Sequence, residues 1–248
     1  MRYYTIKAFE ETGLVNTVIT TSENPDWSRE SDKALRNYKE LGEMFGITPA
    51  QMVRTSQVHS AGVRVVTMEQ GGDYILNDKT APNTDGLITN ERGLMLCTLE
   101  ADCVPVFLLD PVKKVVAMVH SGWKGTKGRI SENAIKCMTY TFGSNPSDIM
   151  AAMGPCICGD DYEVSADLYE NFLVTFARED VESFFEPKEN GKYQLYLSRA
   201  IRKTLLDSGL KDENITDPEF CTFHSGIFPS YRKSSGTTDR MLTGIMLK

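Results

Sequence analysis

Histidine occurs only three times, at positions 59, 120 and 224, and the cysteines number six, so nitrogen and sulfur chemistry draws on a short list. His59 lies in Gln57-Val58-His59-Ser60-Ala61-Gly62, directly before the β-branched run Val63 to Met68. His120 follows the run Val115 to Val119 and precedes the glycine-rich stretch Gly122 to Gly128. Cys103 opens the run Val104 to Leu109. If that run and Val115 to Val119 pair as a hairpin, Cys103 and His120 lie near the same end of adjacent strands. One reading is structural, with His120 a hydrogen-bonded turn residue and Cys103 a small buried apolar side chain. In a second, Cys103, His120 and His59 bind zinc, and the three-ligand set leaves a fourth position for water or substrate. In a third, Cys103 is a thiolate nucleophile with His120 as base, oriented by a carboxylate such as Asp102 or Asp85. Asp102 suits that role poorly, because neighbours on a strand point to opposite sides.

The remaining thiols and imidazole carry weaker signals. Cys156-Ile157-Cys158 has no second cysteine pair at finger spacing to complete a zinc site and reads as a turn. His224, in Thr222-Phe223-His224-Ser225-Gly226, reads as structural. No histidine shows the H-x-E pattern followed by P-C-x-x-C of cytidine-type deaminases. Gly122-Trp123-Lys124-Gly125-Thr126-Lys127-Gly128 precedes an expected helix, so its backbone N–H groups are candidates to face an anion, although it matches neither a dinucleotide fingerprint nor a Walker A loop. The stretch Ser230 to Arg240 gathers Arg232, Lys233 and Arg240 with several hydroxyls around one glycine. That pattern suits a solvated hairpin or an oxyanion clamp, and the forked guanidinium favours the clamp.

The elements that must position these residues follow from apolar periodicity. Val15 to Thr20, Val63 to Met68, Met95 to Leu99, Val104 to Leu109, Val115 to Val119 and Leu242 to Leu247 read as strands. Helical spacing covers Glu30 to Phe45, ended by Gly46. It recurs at Ile130, Ala134 and Met138, and at Leu168, Phe172 and Phe176 behind Ser165 as N-cap. A shorter helix from Ser198 buries Ile201 and Leu205. Strands are often consecutive, which favours an α+β fold with mixed sheets over a doubly wound repeat.

With 248 residues, 41% apolar and 25% charged, and no linker or repeat, the chain reads as one domain over residues 1–248. A net charge of −7 leaves no field suited to a polyanion, so nucleic acid is not an expected partner. No run approaches the ~20 apolar residues of a membrane helix, and Met1 to Lys7 carries no secretory pattern, so a cytoplasmic protein with reduced thiols is expected.

Seven short segments, in order, raise the match above spacing: Gln57-Val58-His59, Thr84 to Thr89, Ala101 to Val106, His120 to Gly125, Gly154 to Ile157, Tyr162-Glu163-Val164 and Ser230-Tyr231-Arg232. Through them the chain, over about residues 50–248, resembles the polyphenol oxidase or laccase-like family, also described as purine nucleoside phosphorylase with adenosine deaminase activity. The resemblance implies a compact sandwich of mixed β-sheets flanked by helices, with a metal held by His59, Cys103 and His120. It implies zinc, with copper as the alternative metal, and a purine nucleoside and phosphate as substrates. Adenosine, inosine and methylthioadenosine are the expected nucleosides. Phosphorolysis needs an oxyanion site at the ribose, for which Lys124, Arg232 and Arg240 are candidates. Deamination needs activated water and a proton-carrying carboxylate, for which Asp102 and Glu163 are candidates beside Cys103 and His120. Copper-dependent polyphenol oxidation is the alternative, and three histidines are few for it; a Cys-His hydrolase and a non-catalytic zinc module are the others. Glu100 and Asp239 depart from the family pattern and are expected to add negative charge near the anion site, and Thr20 to Pro25 lacks the family's glycine-rich loop.

Overall fold

The computed structural model describes residues 1–27, 31–77, 79 and 83–248. Strands Val104–Asp110 and Val115–Ser121 are buried at every position, because both faces of their sheet are covered. Along Val115–Ser121, Val115, Ala117 and Val119 pack toward the helices Ile130–Phe142 and Leu197–Asp207, while Val116 and Met118 face the opposite sheet. The period-2 alternation therefore persists, with apolar side chains on both sides.

Two mixed sheets make the sandwich. The six-stranded one runs Ile215–Thr216, Met150–Met153, Val104–Asp110, Val115–Ser121, Gly86–Thr89, Val63–Val65, with its two edge strands parallel to their neighbours. The five-stranded one runs Tyr3–Tyr4, Val15–Thr20, Met241–Leu247, Met95–Glu100, Met52–Arg54. Phe9, Ile19, Leu96, Phe107, Leu109 and Met118 fill the space between them. Outside the five-stranded sheet, helix Asp32–Phe45 lays Ala34, Tyr38 and Leu41 on Met95, Cys97 and Leu242. Ser31 caps that helix by accepting from the N–H groups of Lys33 and Ala34, and Gly46 ends it at φ 68°. This is the expected α+β arrangement of mixed sheets and flanking helices.

Several boundaries differ from the sequence reading. Glu30 lies outside the described residues, and the helix begins at Asp32. The strand at Val63 ends at Val65, since Thr67 caps a short 3-10 turn over Met68–Gln70. Ser165 precedes helix Ala166–Leu173, but its hydroxyl donates to the Asp167 carboxylate instead of capping, and Phe176 lies past the helix end, stacked on Phe172. The glycine-rich segment does not merely precede a helix: Trp123–Lys127 is itself a helical turn.

Candidate metal centre and cavity

The chain crosses from one sheet to the other at Ala101 to Cys103, between the strands Met95–Glu100 and Val104–Asp110. Cys103 thus sits at an end of the sandwich. In the hairpin, Pro105 pairs with His120 and Val104 with Ser121, so Cys103 and His120 do share one end. His59 comes from the connection between Met52–Arg54 and Val63–Val65. One donor atom from each of His59, Cys103 and His120 lies within 4.8 Å of the others, and the Cys103 Sγ to His59 Nε2 distance is 4.0 Å.

Asp85 organises two of these three side chains. Fully buried, its carboxylate accepts from the N–H groups of Val58 (3.2 Å), His59 (2.9 Å) and Ser60 (2.8 Å) and from the Ser60 hydroxyl (2.7 Å). It also bonds His120 Nδ1 at 3.0 Å, which leaves Nε2 as the ring nitrogen available to Cys103 or to a cation. Burial disfavours the ionised carboxylate, yet the bonds from His120 and Ser60 outweigh it and hold its pKa at about 2. For Cys103 and His120 too, burial opposes charge, and their mutual attraction prevails: the thiol is pulled below its ordinary range and the imidazole, backed by Asp85, is raised. The pair therefore favours thiolate and imidazolium when no cation replaces the proton.

Gly122 completes this end. A Cβ there would stand 2.9 Å from Cys103 Sγ and 3.0 Å from His59 Cδ2, so the space beside the ligands exists only because residue 122 has no side chain. Two imidazoles and one thiol around a space reserved by a glycine, with one histidine oriented by a buried carboxylate, fit a borderline-soft divalent cation with an open fourth position.

The cluster opens into a cavity of about 630 Å³, of the size of a small-molecule site. Arg54, Arg232 and Arg240 reach it, as do Trp123, Tyr162 and Tyr231. Arg232 lies over the Tyr162 ring at 5.1 Å and donates to the Glu163 carbonyl at 2.9 Å. Arg240 donates to the carbonyls of Thr237 (2.9 Å) and Asp239 (2.7 Å). Its own N–H reaches the Pro25 carbonyl at 2.9 Å, which joins the atypical segment 20–25 to this wall. Asp102 is on the cavity wall; one oxygen accepts from the Thr222 hydroxyl and the other from the Arg232 N–H, both at 2.6 Å.

Other candidates fall elsewhere. Lys124 is exposed, its ammonium 5.5 Å from the Trp123 ring centroid, and is not among the residues lining the cavity. Glu163 points away from the cavity into ion pairs with Lys188 and Lys192 at 2.5 and 2.7 Å, which hold its pKa at about 2, so a proton-carrying role there is not supported. Glu100 is fully buried and does not line the cavity; burial raises its carboxyl to about 7, so the expected added charge is largely suppressed below neutral pH. Arg54 was missed. Its only signal was a cation ending the short apolar run Met52-Val53, and its guanidinium sits 4.4 Å from the Tyr74 ring centroid.

A mixed-sheet sandwich whose cysteine–histidine cluster lines a cavity with arginine and aromatic side chains is an arrangement suited to an enzyme acting on a small molecule. The chain belongs to the family described as multi-copper polyphenol oxidoreductase laccase, whose family model matches residues 15–248. It is 36% identical over 216 residues to purine nucleoside phosphorylase YlmD of Bacillus subtilis, covering 86% of this chain and 77% of the relative. Adenosine deaminase RL5, from an unknown prokaryotic organism, is 31% identical over 212 residues, covering 84% and 79%. The crystal structure of the Bacillus licheniformis hypothetical protein YfiH superposes with a TM-score of 0.91 at 27% identity, over 99% of this chain and 96% of that one.

Proposed function

We propose that this protein is a zinc-dependent purine nucleoside phosphorylase acting on adenosine, inosine and methylthioadenosine, with adenosine deaminase activity. The observation that carries the reading is the convergence of the His59, Cys103 and His120 donors with three arginines and three aromatic side chains on one cavity. When bound, zinc supplies Lewis acidity, polarising an oxygen brought to it and lowering the pKa of water toward ~7. Trp123, Tyr162 and Tyr231 offer flat faces for the purine, and Arg54, Arg232 and Arg240 offer charge to phosphate. Phosphate attack at C1′ expels the purine, which must gain a proton at a ring nitrogen as it leaves. Asp102 is the carboxylate among the described lining residues and is the proton carrier proposed for either reaction. In deamination it would pass a proton from the attacking water to the departing amino group at C6. Asp85 keeps His120 in one orientation throughout.

Copper enters through the family description alone; two imidazoles and one thiol are too few donors for several copper ions. One observation favours a second reading. The Cys103, His120 and Asp85 chain has the donor order of a thiol hydrolase, with the thiol pulled down and the imidazole oriented.

The test is incubation of the purified protein with adenosine, with and without phosphate, and identification of every product by mass. Adenine and ribose 1-phosphate are expected only with phosphate, and inosine in both conditions. His120→Ala should abolish both activities. Retention of either activity by a variant whose His59, Cys103 and His120 cluster no longer binds metal would overturn the reading, and a covalent Cys103 adduct with an ester or amide would favour the hydrolase.

A further inference from the structure

The turn at Cys158 and the segment around His224, read from sequence as unconnected and structural, meet in space. Cys158 Sγ lies 3.1 Å from Cys221 Sγ and 2.9 Å from Asp161 Oδ2. The same carboxylate oxygen is 3.6 Å from Cys221 Sγ and 2.7 Å from His224 Nε2. All four donor atoms lie within 4.8 Å of one another. His224 therefore has both an acidic and a thiol neighbour.

We infer that Cys158, Asp161, Cys221 and His224 form a second, closed, structural site for a divalent cation of the zinc class. Two sulfurs, one imidazole nitrogen and one carboxylate oxygen are four donors of the types zinc takes, and they fill a tetrahedron with no position left for substrate. The side chains come from two short segments, and the spacings Cys158 to Asp161 and Cys221 to His224 each place donors one turn apart. The 3-10 turn Gly159–Asp161 and the helical turn Thr222–Ser225 bring each pair to one side. A tetrahedral zinc with Zn–S near ~2.3 Å holds its two sulfurs roughly 3.7 Å apart, so the thiols need to spread by about half an ångström. Binding displaces the two thiol protons to solvent and leaves the four donors on the cation.

The site has a structural purpose legible in its neighbours. It would join the turn that precedes Tyr162 to the segment that holds Thr222, whose hydroxyl bonds Asp102, while Cys156 already exchanges backbone bonds with Phe220 and Thr222. The second cation thus braces the cavity wall carrying Ile157 and Tyr162 without touching substrate.

Cobalt(II) is the probe, and the inference stands apart from the first cluster. In Cys103→Ser protein, reduced and reconstituted with cobalt, His59 and His120 offer no thiolate, so thiolate-to-cobalt absorption in the near ultraviolet must arise from Cys158 and Cys221. The expected result is that band at about one cobalt per chain, lost in the further variant Cys221→Ser. His224→Ala, at an exposed position, should weaken cobalt binding by about tenfold or more while the fold is kept. Absence of the band in Cys103→Ser protein that circular dichroism shows to be folded would overturn the inference. So would a mass lower by two hydrogens with Cys158 joined to Cys221, which would make the pair a disulfide.

Discussion

Adding one methyl group beside the first cluster tests its geometry with little disturbance elsewhere. Gly122 has φ −76° and ψ 177°, an extended conformation that alanine adopts freely, so Gly122→Ala carries no backbone strain. Its Cβ, however, would lie 2.9 Å from Cys103 Sγ and 3.0 Å from His59 Cδ2. Non-bonded heavy atoms settle at roughly 3.5–4.0 Å, so the ligands must retreat by more than half an ångström in all. Metal–ligand distances in real sites hold to about ±0.2 Å, and changing a residue that orients the ligands typically costs about 10–100-fold in metal affinity. The assay is zinc competition against a chromophoric chelator, with Cys221→Ser in both proteins so that the second cluster does not contribute, paired with thermal unfolding of the metal-free protein. Zinc affinity should fall within that range, both catalytic activities should fall with occupancy, and the metal-free melting temperature should stay near wild type. A variant that holds zinc as tightly as wild type would refute the reasoning, because Cys103 and His59 could not then be ligands in the positions described.

Glu100 has its carboxyl raised by burial from the ordinary 4.5 to about 7. The folded protein therefore holds that proton more tightly than the unfolded chain, and the associated stability, whole below about 4.5, is lost as pH rises through 7. Replacing it by glutamine should have little pH-linked effect at pH 4 and should stabilise the protein at pH 8 by up to about 3 kcal/mol, read from urea unfolding at both values; an equal difference at the two pH values would sink the idea. Arg54→Ala and Arg240→Ala should each reduce phosphorolysis by about 10²–10³-fold in kcat/KM for phosphate, with deamination changed by less than about tenfold. Equal losses in both reactions would mean that the arginines hold the nucleoside, not the phosphate.

The strands were legible where apolar runs were long, because Val104–Asp110 and Val115–Ser121 are buried on both faces and carry no competing polar pattern. The hairpin geometry that brings Cys103 to His120 followed from those two runs and the short connection between them. His59 was harder, since the loop carrying it bends through positive φ at Gln57 (49°) and His59 itself (59°), and no propensity announces that path. It stood in the sequence reading as one of three zinc donors among open alternatives, and the family resemblance selected that reading. Arg54 and the Cys158 to His224 cluster were missed for a common reason: their partners are distant in sequence, Tyr74 for the first and Cys221 for the second. Helical or strand periodicity reports which face of an element is buried. It does not report which two turns meet. Glu100 illustrates the converse, for its charge was visible in sequence while the burial that suppresses it was not.

The two aspartates of the first site divide the work of holding it before any cation binds. Non-glycine residues in the left-handed region cost about 1–2 kcal/mol each, and Gln57, His59 and Asp102 all occupy it, with φ of 49°, 59° and 88°. Such a loop persists only where other bonds over-determine it. Asp85 supplies them on one side, gathering three backbone N–H groups, a hydroxyl and His120 on a single buried carboxylate. Asp102 supplies them on the other, tying Thr222 and the Arg232 N–H to the turn that carries Cys103. His59, Cys103 and His120 are thus placed by hydrogen bonds between segments that the sandwich already fixes, so a cation bound there, as proposed, need not be spent on folding. The second cluster is framed differently: backbone bonds of Cys156 with Phe220 and Thr222 already tie its two segments, while the four donor side chains hold chiefly one another. The cation there should accordingly contribute to stability, and the one at the first site to chemistry.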